Sequence, residues 1–316
     1  MDLSVIIPFI NEEENLVQLN DELTRVLGKL NITSEVIYID DGSTDSSYDT
    51  IKKEIEKSKV NKVSFTLIRF IKNLGQTAAI SAGIDNSGGK LISFLDADLQ
   101  NDPNDIPRFL EKLDEGFDAV FGWRKDRKDA TLRSLLSRLA NLLINKIFDY
   151  PYHDVGCSAR VVKKEFVTNL QLYGELHRVM PVLIYLKGAK VGEIVVSHRN
   201  RFKGKSKYGY KRIVKTMIDL ITVKFLSSYG TRPAYIFGSF GFGSLIIGSL
   251  TLLASLYKKL FLGVYIHNDP FFMIAIFFGL LGVQFILMGL MAELQVRTYF
   301  ESQKKPIYEI KDVIKE

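Results

Sequence analysis

A single cysteine, Cys157, is all the chain carries in 316 residues. No intrachain disulfide is possible, so nothing points to an oxidising compartment, and Cys157 reads as a small buried apolar residue. No Gly-x-Gly-x-x-Gly and no Gly-Lys-Ser/Thr loop follows the first apolar run, where "FINEEEN" stands instead. That excludes dinucleotide-binding and P-loop readings, which need bare backbone amides against a phosphate. Neither an internal repeat nor a low-complexity tract is present. The opening "MDLSVIIPFI" runs into a strand pattern without a secretory signal, so the globular part is expected in the cytoplasm. Acids are missing from residues 198–216, which hold Arg199, Arg201, Lys203, Lys205, Lys207, Lys211, Arg212 and Lys215. Such a block suits nucleic acid, a membrane surface or a phosphorylated ligand.

Two long apolar runs decide among these. Residues 236–257 and 271–292 each match the roughly 20 apolar residues that a helix needs to cross hydrocarbon. Their glycines would weaken a soluble helix but are common in membrane spans. We read them as a transmembrane hairpin, which favours lipid over nucleic acid as the partner of the basic block. Lys224 and Arg232 precede the hairpin and Arg297, Lys304 and Lys305 follow it, which sets both flanks on the cytoplasmic side. Lys258 and Lys259, in the short outer loop, count against that orientation.

The first half alternates apolar, β-rich runs (3–9, 35–40, 63–69, 91–96, 118–122) with amphipathic segments near 12–30, 45–60, 75–86 and 104–115. This alternation predicts a mostly parallel sheet covered on both faces. Ligands of such sheets bind beyond the C-terminal ends of the strands. "PFINEEEN", "DDGS" and "DAD" therefore fall along one rim. Amphipathic helices are also expected at 131–149, as a core or surface element, and at 210–228, as an interfacial helix leading into the first span.

The run 91–95 ends in Asp96, Asp98 and Asp102. In extended chain Asp96 and Asp98 point the same way. Paired carboxylates make a hard-oxygen site suited to Mg²⁺ or Mn²⁺, and such an ion could bridge to a diphosphate. A solvated acidic turn is the alternative. Asn11 and Glu12 serve equally as ligand residues or as a helix cap and first-turn acid.

"VIIPFINEEENL", "YIDDGSTDSS", "NLGQTAAISAGID", "FLDADLQNDP" and "HDVGCSARVV" occur in the order seen in inverting family 2 glycosyltransferases. More narrowly, with the hairpin, "HRVMP" and "RNRFKGKSKYGY", the chain resembles polyprenyl-phosphate hexose synthases, relatives of dolichyl-phosphate mannose synthase. The likeness covers nearly the whole chain. It implies an α/β, GT-A-like nucleotide-sugar-binding domain over 1–208, an interfacial helix over 209–232, a transmembrane hairpin over 233–296 and a cytoplasmic tail over 297–316. By the same likeness Pro8, Asn11, Glu12, Asp40 and Asp41 hold the nucleoside. Asp96 and Asp98 form the metal and diphosphate motif, with Asp98 the more direct ligand of Mg²⁺ or Mn²⁺. Gln100 lies near the sugar, and Asp154 is base or acceptor organiser. His177 and Arg178 resemble residues near the acceptor pocket, with helix surface as the alternative, and His153 reads as a structural histidine. A homo-oligomer in the inner (cytoplasmic) membrane is implied too.

The acceptor has its own chemistry. A polyprenyl phosphate has a second pKa of about 6, so it is largely dianionic at neutral pH and needs delivery more than deprotonation. Arg124, Arg127, Arg199, Arg201, Lys205, Lys207 and the hydroxyl of Ser206 are the candidate partners, arginine because its planar fork takes phosphate bidentately. Lys211, Arg212 and Lys215 suit attachment to anionic headgroups. The expected reaction moves a hexose, first of all glucose from UDP-glucose, onto undecaprenyl phosphate with inversion. A GDP-mannose-dependent synthase is the near alternative. A synthase building glycolipid or polysaccharide directly is opposed by the absence of a Gln-x-x-Arg-Trp motif, and a non-catalytic nucleotide-sugar-binding scaffold by the intact acidic rim.

Overall fold

Seven strands form one sheet in the order β3-β2-β1-β4-β6-β5-β7. They are β1 (Leu3–Phe9), β2 (Ser34–Asp40), β3 (Val63–Arg69), β4 (Leu91–Phe94), β5 (Ala119–Trp123), β6 (Arg160–Lys163) and β7 (Val191–Val195). The computed structural model describes residues 1–58, 62–125, 144–145, 148, 150–168, 170, 172, 174–199, 222–225 and 233–303. It divides into two compact units, Met1–Ile221 and Thr222–Glu316. That division falls inside the expected interfacial segment 209–232, most of which lies outside the described residues. The expected helix at 131–149 lies outside them too, apart from 144, 145 and 148.

β3, β2, β1 and β4 run parallel, β6 is antiparallel to both β4 and β5, and β7 is parallel to β5. The four strands of the parallel half, together with β5, are those whose apolar runs were legible. β1 and β2 are buried along their whole length, as a sheet covered on both faces requires. Helix α1 (Glu13–Leu27) covers one face with Leu16, Leu19, Leu23, Val26 and Leu27, which recur at helical spacing and are at most 6% exposed. They pack with Val5, Ile7, Val36 and Tyr38 in one cluster. Each fully buried leucine contributes about 1.5–3 kcal/mol relative to exposure. Helix α3 (Gln76–Asp85) covers the other face, where Gly83 lets it approach Ile6 and Ile39. Helix α2 (Ser47–Lys57) follows the β2 turn, and α4 (Ile106–Asp114) follows the acidic turn after β4. Short helices α5 (Lys164–Val167) and α6 (Met180–Leu186) follow.

Among its described residues the second unit holds two long helices, α7 (Ala234–Leu262) and α8 (Pro270–Gln303). Both are long and apolar enough to cross a membrane. Only 17% and 11% of their most apolar stretches are buried, which is the opposite of a soluble core helix. They pack through small residues: a Cβ on Gly241 would lie 2.7 Å from Ile286 Cγ1 and 3.0 Å from the Gly282 carbonyl. Close backbone approach of this kind is how helices associate where water gives no drive. Lys258 and Lys259, expected in the loop between the runs, lie instead within α7, where Lys258 pairs with Asp269 at 3.2 Å and lies over the Phe271 ring.

Candidate active site

Parallel pairing of β1 with β2 and β4 sends three chain segments, 10–12, 41–46 and 95–102, out of one sheet edge. Pairing persists one residue past β4, where Leu95 N–H donates to the Ile6 carbonyl. The chain then turns at 97–98. The extended-strand argument for Asp96 and Asp98 therefore does not hold, and a turn with Ala97 and Leu99 buried beneath it places them instead. Asp98 is 8% exposed and Asp96 half-buried. Burial, then the charge of Asp98, pushes the Asp96 carboxyl above the ordinary carboxylate range; a hydrogen bond from Ser158 and the charges of Arg160 and Arg124 pull the other way. Gln76 Nε2, at the start of α3, donates to Asp96 Oδ1 at 2.9 Å.

Two arginines back this turn. Arg160, 3% exposed, opens β6 directly opposite Phe94, with its guanidinium 5.2 Å from that ring's centre. One of its nitrogens donates to the His177 carbonyl, while Nε and Nη1 have no hydrogen-bond partner among the described residues, and burial lowers its pKa to about 10. Arg124 binds Asp154 as a fork, Nε to Oδ2 at 2.8 Å and Nη2 to Oδ1 at 2.9 Å. Burial opposes its charge, yet Asp154 holds the guanidinium pKa above its usual value. Asp154 is 4% exposed and also accepts the Gly156 and Arg124 backbone N–H groups. Both of its oxygens thus accept hydrogen bonds from Arg124.

The other expected residues fare unevenly. Asp40 is fully buried, accepts the Ser43 N–H at 2.8 Å and faces Arg69 at 3.3 Å. Asp41 accepts the Leu74 and Gly75 N–H groups, and burial raises its pKa. Both carboxylates bind protein groups because Gly42, at φ +72°, folds the turn against the Lys72 backbone, where a Cβ would lie 2.6 Å from a carbonyl carbon. Asn11, itself at φ +51°, accepts the Thr44 N–H, and Glu12 precedes α1 without capping it, accepting from Asn15 instead. Pro8 is buried within β1. Gln100 is half-buried, with its N–H on Asp98 Oδ1 at 3.2 Å. Arg199 lies beside Gln100, but its side chain pairs with Glu22 and Asp102. Arg127, Arg201, Lys205, Ser206 and Lys207 lie outside the described residues, as do Lys211, Arg212 and Lys215.

His177 is buried rather than on a helix surface, and Arg178 pairs with Glu175 at 2.9 Å. His153 stacks on Trp123 and meets Glu193 at 2.7 Å, and Cys157 is buried with its thiol pushed up to about 11. Gln76, Ser158 and Arg160 escaped the sequence reading. Only Arg160, a lone cation in "SARVV", left a signal.

Among the described residues no three His, Cys, Asp or Glu side chains converge as a ready metal cage. The donor set still fits a hard cation: two like-charged carboxylates, one raised by burial and then by the other, would be relieved by a divalent ion that completes its shell with phosphate and water oxygens. An acidic turn at the edge of a mostly parallel sheet, with buried Arg160 and half-buried Arg124 behind it, is the candidate site.

Residues 4–170 match the family model described as glycosyl transferase family 2. The chain is 35% identical over 99% of its length to dodecaprenyl-phosphate galacturonate synthase of Rhizobium johnstonii, covering 93% of that protein. It is 36% identical, with the same coverage, to undecaprenyl-phosphate 4-deoxy-4-formamido-L-arabinose transferase of Salmonella choleraesuis. Glucosyl-3-phosphoglycerate synthase of Mycobacterium tuberculosis, solved with Mn²⁺ and UDP-glucose, shares the fold (TM-score 0.54, 16% identity, 71% of this chain and 78% of that one). The protein belongs to glycosyl transferase family 2, has the GT-A fold, and is a glycosyltransferase.

Proposed function

We propose that the enzyme transfers a sugar from a nucleoside diphosphate to a polyprenyl phosphate at a membrane surface. The observation that carries this is the turn at Asp96 and Asp98 with Arg124 and Arg160 behind it. A lipid acceptor is supported by the names of relatives aligned over 99% of the chain and by two helices long enough to span a bilayer. Asp98 and Asp96 would hold Mg²⁺ or Mn²⁺, which supplies neutralising charge for the departing diphosphate. Pro8, Asn11, Glu12, Asp40 and Asp41 shape the rim on which the nucleoside rests. Gln100, anchored to Asp98, faces the sugar. The Asp154–Arg124 fork presents a fixed cation for phosphate, and Arg127, Arg201, Lys205, Ser206 and Lys207 are the further acceptor contacts.

A phosphate oxygen of the acceptor attacks the anomeric carbon as the bond from that carbon to the diphosphate breaks. Its lone pair forms the new bond, the leaving oxygen keeps the old pair, and the anomer inverts. No proton moves, so no general base is needed; Asp154 positions Arg124.

Glucose from UDP-glucose rests on the sequence resemblance alone, whereas the two relatives are named for galacturonate and a formamido-arabinose. The reading is therefore held at a nucleotide-linked pyranose. The test offers purified protein a panel of nucleotide-sugars including these, with undecaprenyl phosphate, with and without EDTA, and identifies products by mass spectrometry. A lipid-phosphate sugar formed only with divalent metal is expected. Sugar appearing on a water-soluble acceptor and never on the lipid would refute the reading.

A further inference from the structure

Arg199 commits both terminal nitrogens of its guanidinium to protein carboxylates. Its Nη1 donates to both oxygens of Glu22 in α1, at 3.1 and 2.8 Å, and Nη2 lies 2.6 Å from Asp102. One guanidinium between two carboxylates leaves a cluster with one net negative charge. Its backbone N–H donates to the Gln100 carbonyl at 3.0 Å. His198 forms an antiparallel bridge with Asn101, whose Nδ2 donates to Ser158 at 2.7 Å. Ser197 N–H donates to Asp105 at 2.8 Å. Residues 197–199 are thus stitched to the segment 100–105 and, through Glu22, to α1.

What the stitching holds is unusual. Leu99, between Asp98 and Gln100, sits at φ +60° with its side chain 2% exposed. An L residue keeps a left-handed conformation only where its surroundings over-determine it. Here the surroundings are the buried leucine on one side and the Arg199 contacts on the other.

We propose that Arg199 is a positioning residue of the donor side: by clamping Gln100, Asp102 and Glu22 together it holds the left-handed turn at Leu99, and so aims Asp98 and Gln100 at the nucleotide-sugar. This rests on reading Asp96 and Asp98 as the donor rim. It moves Arg199 away from the acceptor phosphate, where sequence pattern alone had set it. Glu22 becomes part of the same device although it lies on a covering helix.

Charge makes the two roles separable. If Arg199 bound the acceptor, neutralising Glu22 would free its guanidinium and improve acceptor binding, whereas Arg199→Gln would weaken it. If it clamps the turn, both substitutions act in the same direction and on the donor. The full-length protein and its Arg199→Gln, Glu22→Gln and Arg199→Lys variants are compared by amide hydrogen exchange at 99–102 without ligand. Calorimetric binding of UDP and of GDP with Mn²⁺, and the KM for undecaprenyl phosphate, are measured on the same proteins. The glutamine variants are expected to exchange faster at 99–102 and to lose nucleotide affinity by roughly 10-fold, the usual scale for a residue supporting a metal-site ligand, with Arg199→Lys between them and wild type. The lipid KM stays within about twofold. A raised lipid KM in Arg199→Gln, with exchange and nucleotide affinity unchanged and Glu22→Gln neutral or improved, overturns the proposal. If wild type binds neither nucleotide, the donor-rim reading fails while exchange still judges the clamp: unchanged protection at 99–102 overturns it, and faster exchange upholds its hold on the turn.

Discussion

At the scale of single residues the site is a balance of buried charges. Asp98→Asn keeps the size of the side chain and removes the charge, so metal-dependent turnover should fall by at least about 100-fold. Steady-state rates across a Mn²⁺ titration check this, and full activity would remove the metal role. Asp154→Asn breaks the fork on Arg124, and we expect a loss of roughly 10- to 100-fold, uniform with pH. A pH–rate profile decides: had Asp154 taken a proton, the acid limb of wild type would vanish in the variant.

His177 gives a stability prediction. Thr77 donates its hydroxyl proton to the Gly174 carbonyl, so the 2.6 Å contact with His177 is an Nδ1–H donated to Thr77 Oγ1. Burial, then Arg178 and Arg160, lowers the imidazole pKa to about 3. The unfolded chain, with its ordinary value near 6.5, takes up the proton first, so this contribution is whole above about pH 6.5 and declines as pH falls toward 3, by at most about 1.4 kcal/mol per unit. His177→Gln should flatten the loss of stability between about pH 7 and 5, as chemical denaturation at the two values would show.

At the scale of elements, the parallel half was legible because its strands are unbroken apolar runs between turn residues. β6 and β7 were not read. Arg160 opens the first, while Gly192 and Glu193 interrupt the second, so neither has the period or the continuity of a strand. The acidic turn was found by composition, but its geometry was misassigned, since the left-handed residue that sets it is a leucine. The pairing of Arg199 was not legible for a related reason: its partner Glu22 is 177 positions away, and a cation among cations looks like a phosphate site until its partners are seen. The two apolar helices were found from length and composition, yet their packing face was invisible. There Gly241→Leu would press on Ile286 and the Gly282 backbone. It should destabilise the helix pair by about 1–3 kcal/mol, read as a lower midpoint of thermal unfolding in detergent.

For the whole molecule, a net charge of +6 and two exposed apolar helices give two distinct routes to a membrane. Electrostatic attachment is screened by salt, whereas burial of apolar helices is not. The protein should therefore remain in the membrane fraction after washing in high salt and alkaline carbonate. Release by salt alone would leave the basic block as the whole of the attachment.

The contact between Lys258 and Asp269 bears on how such a hairpin arrives in place. A segment threaded tip-first across a bilayer meets its steepest barrier where ionised groups must leave water, and a cation already neighboured by its counter-ion crosses at lower cost than one alone. Removing Asp269 would hinder the passage that builds the hairpin, so the defect would surface in the yield of inserted protein rather than in its working rate.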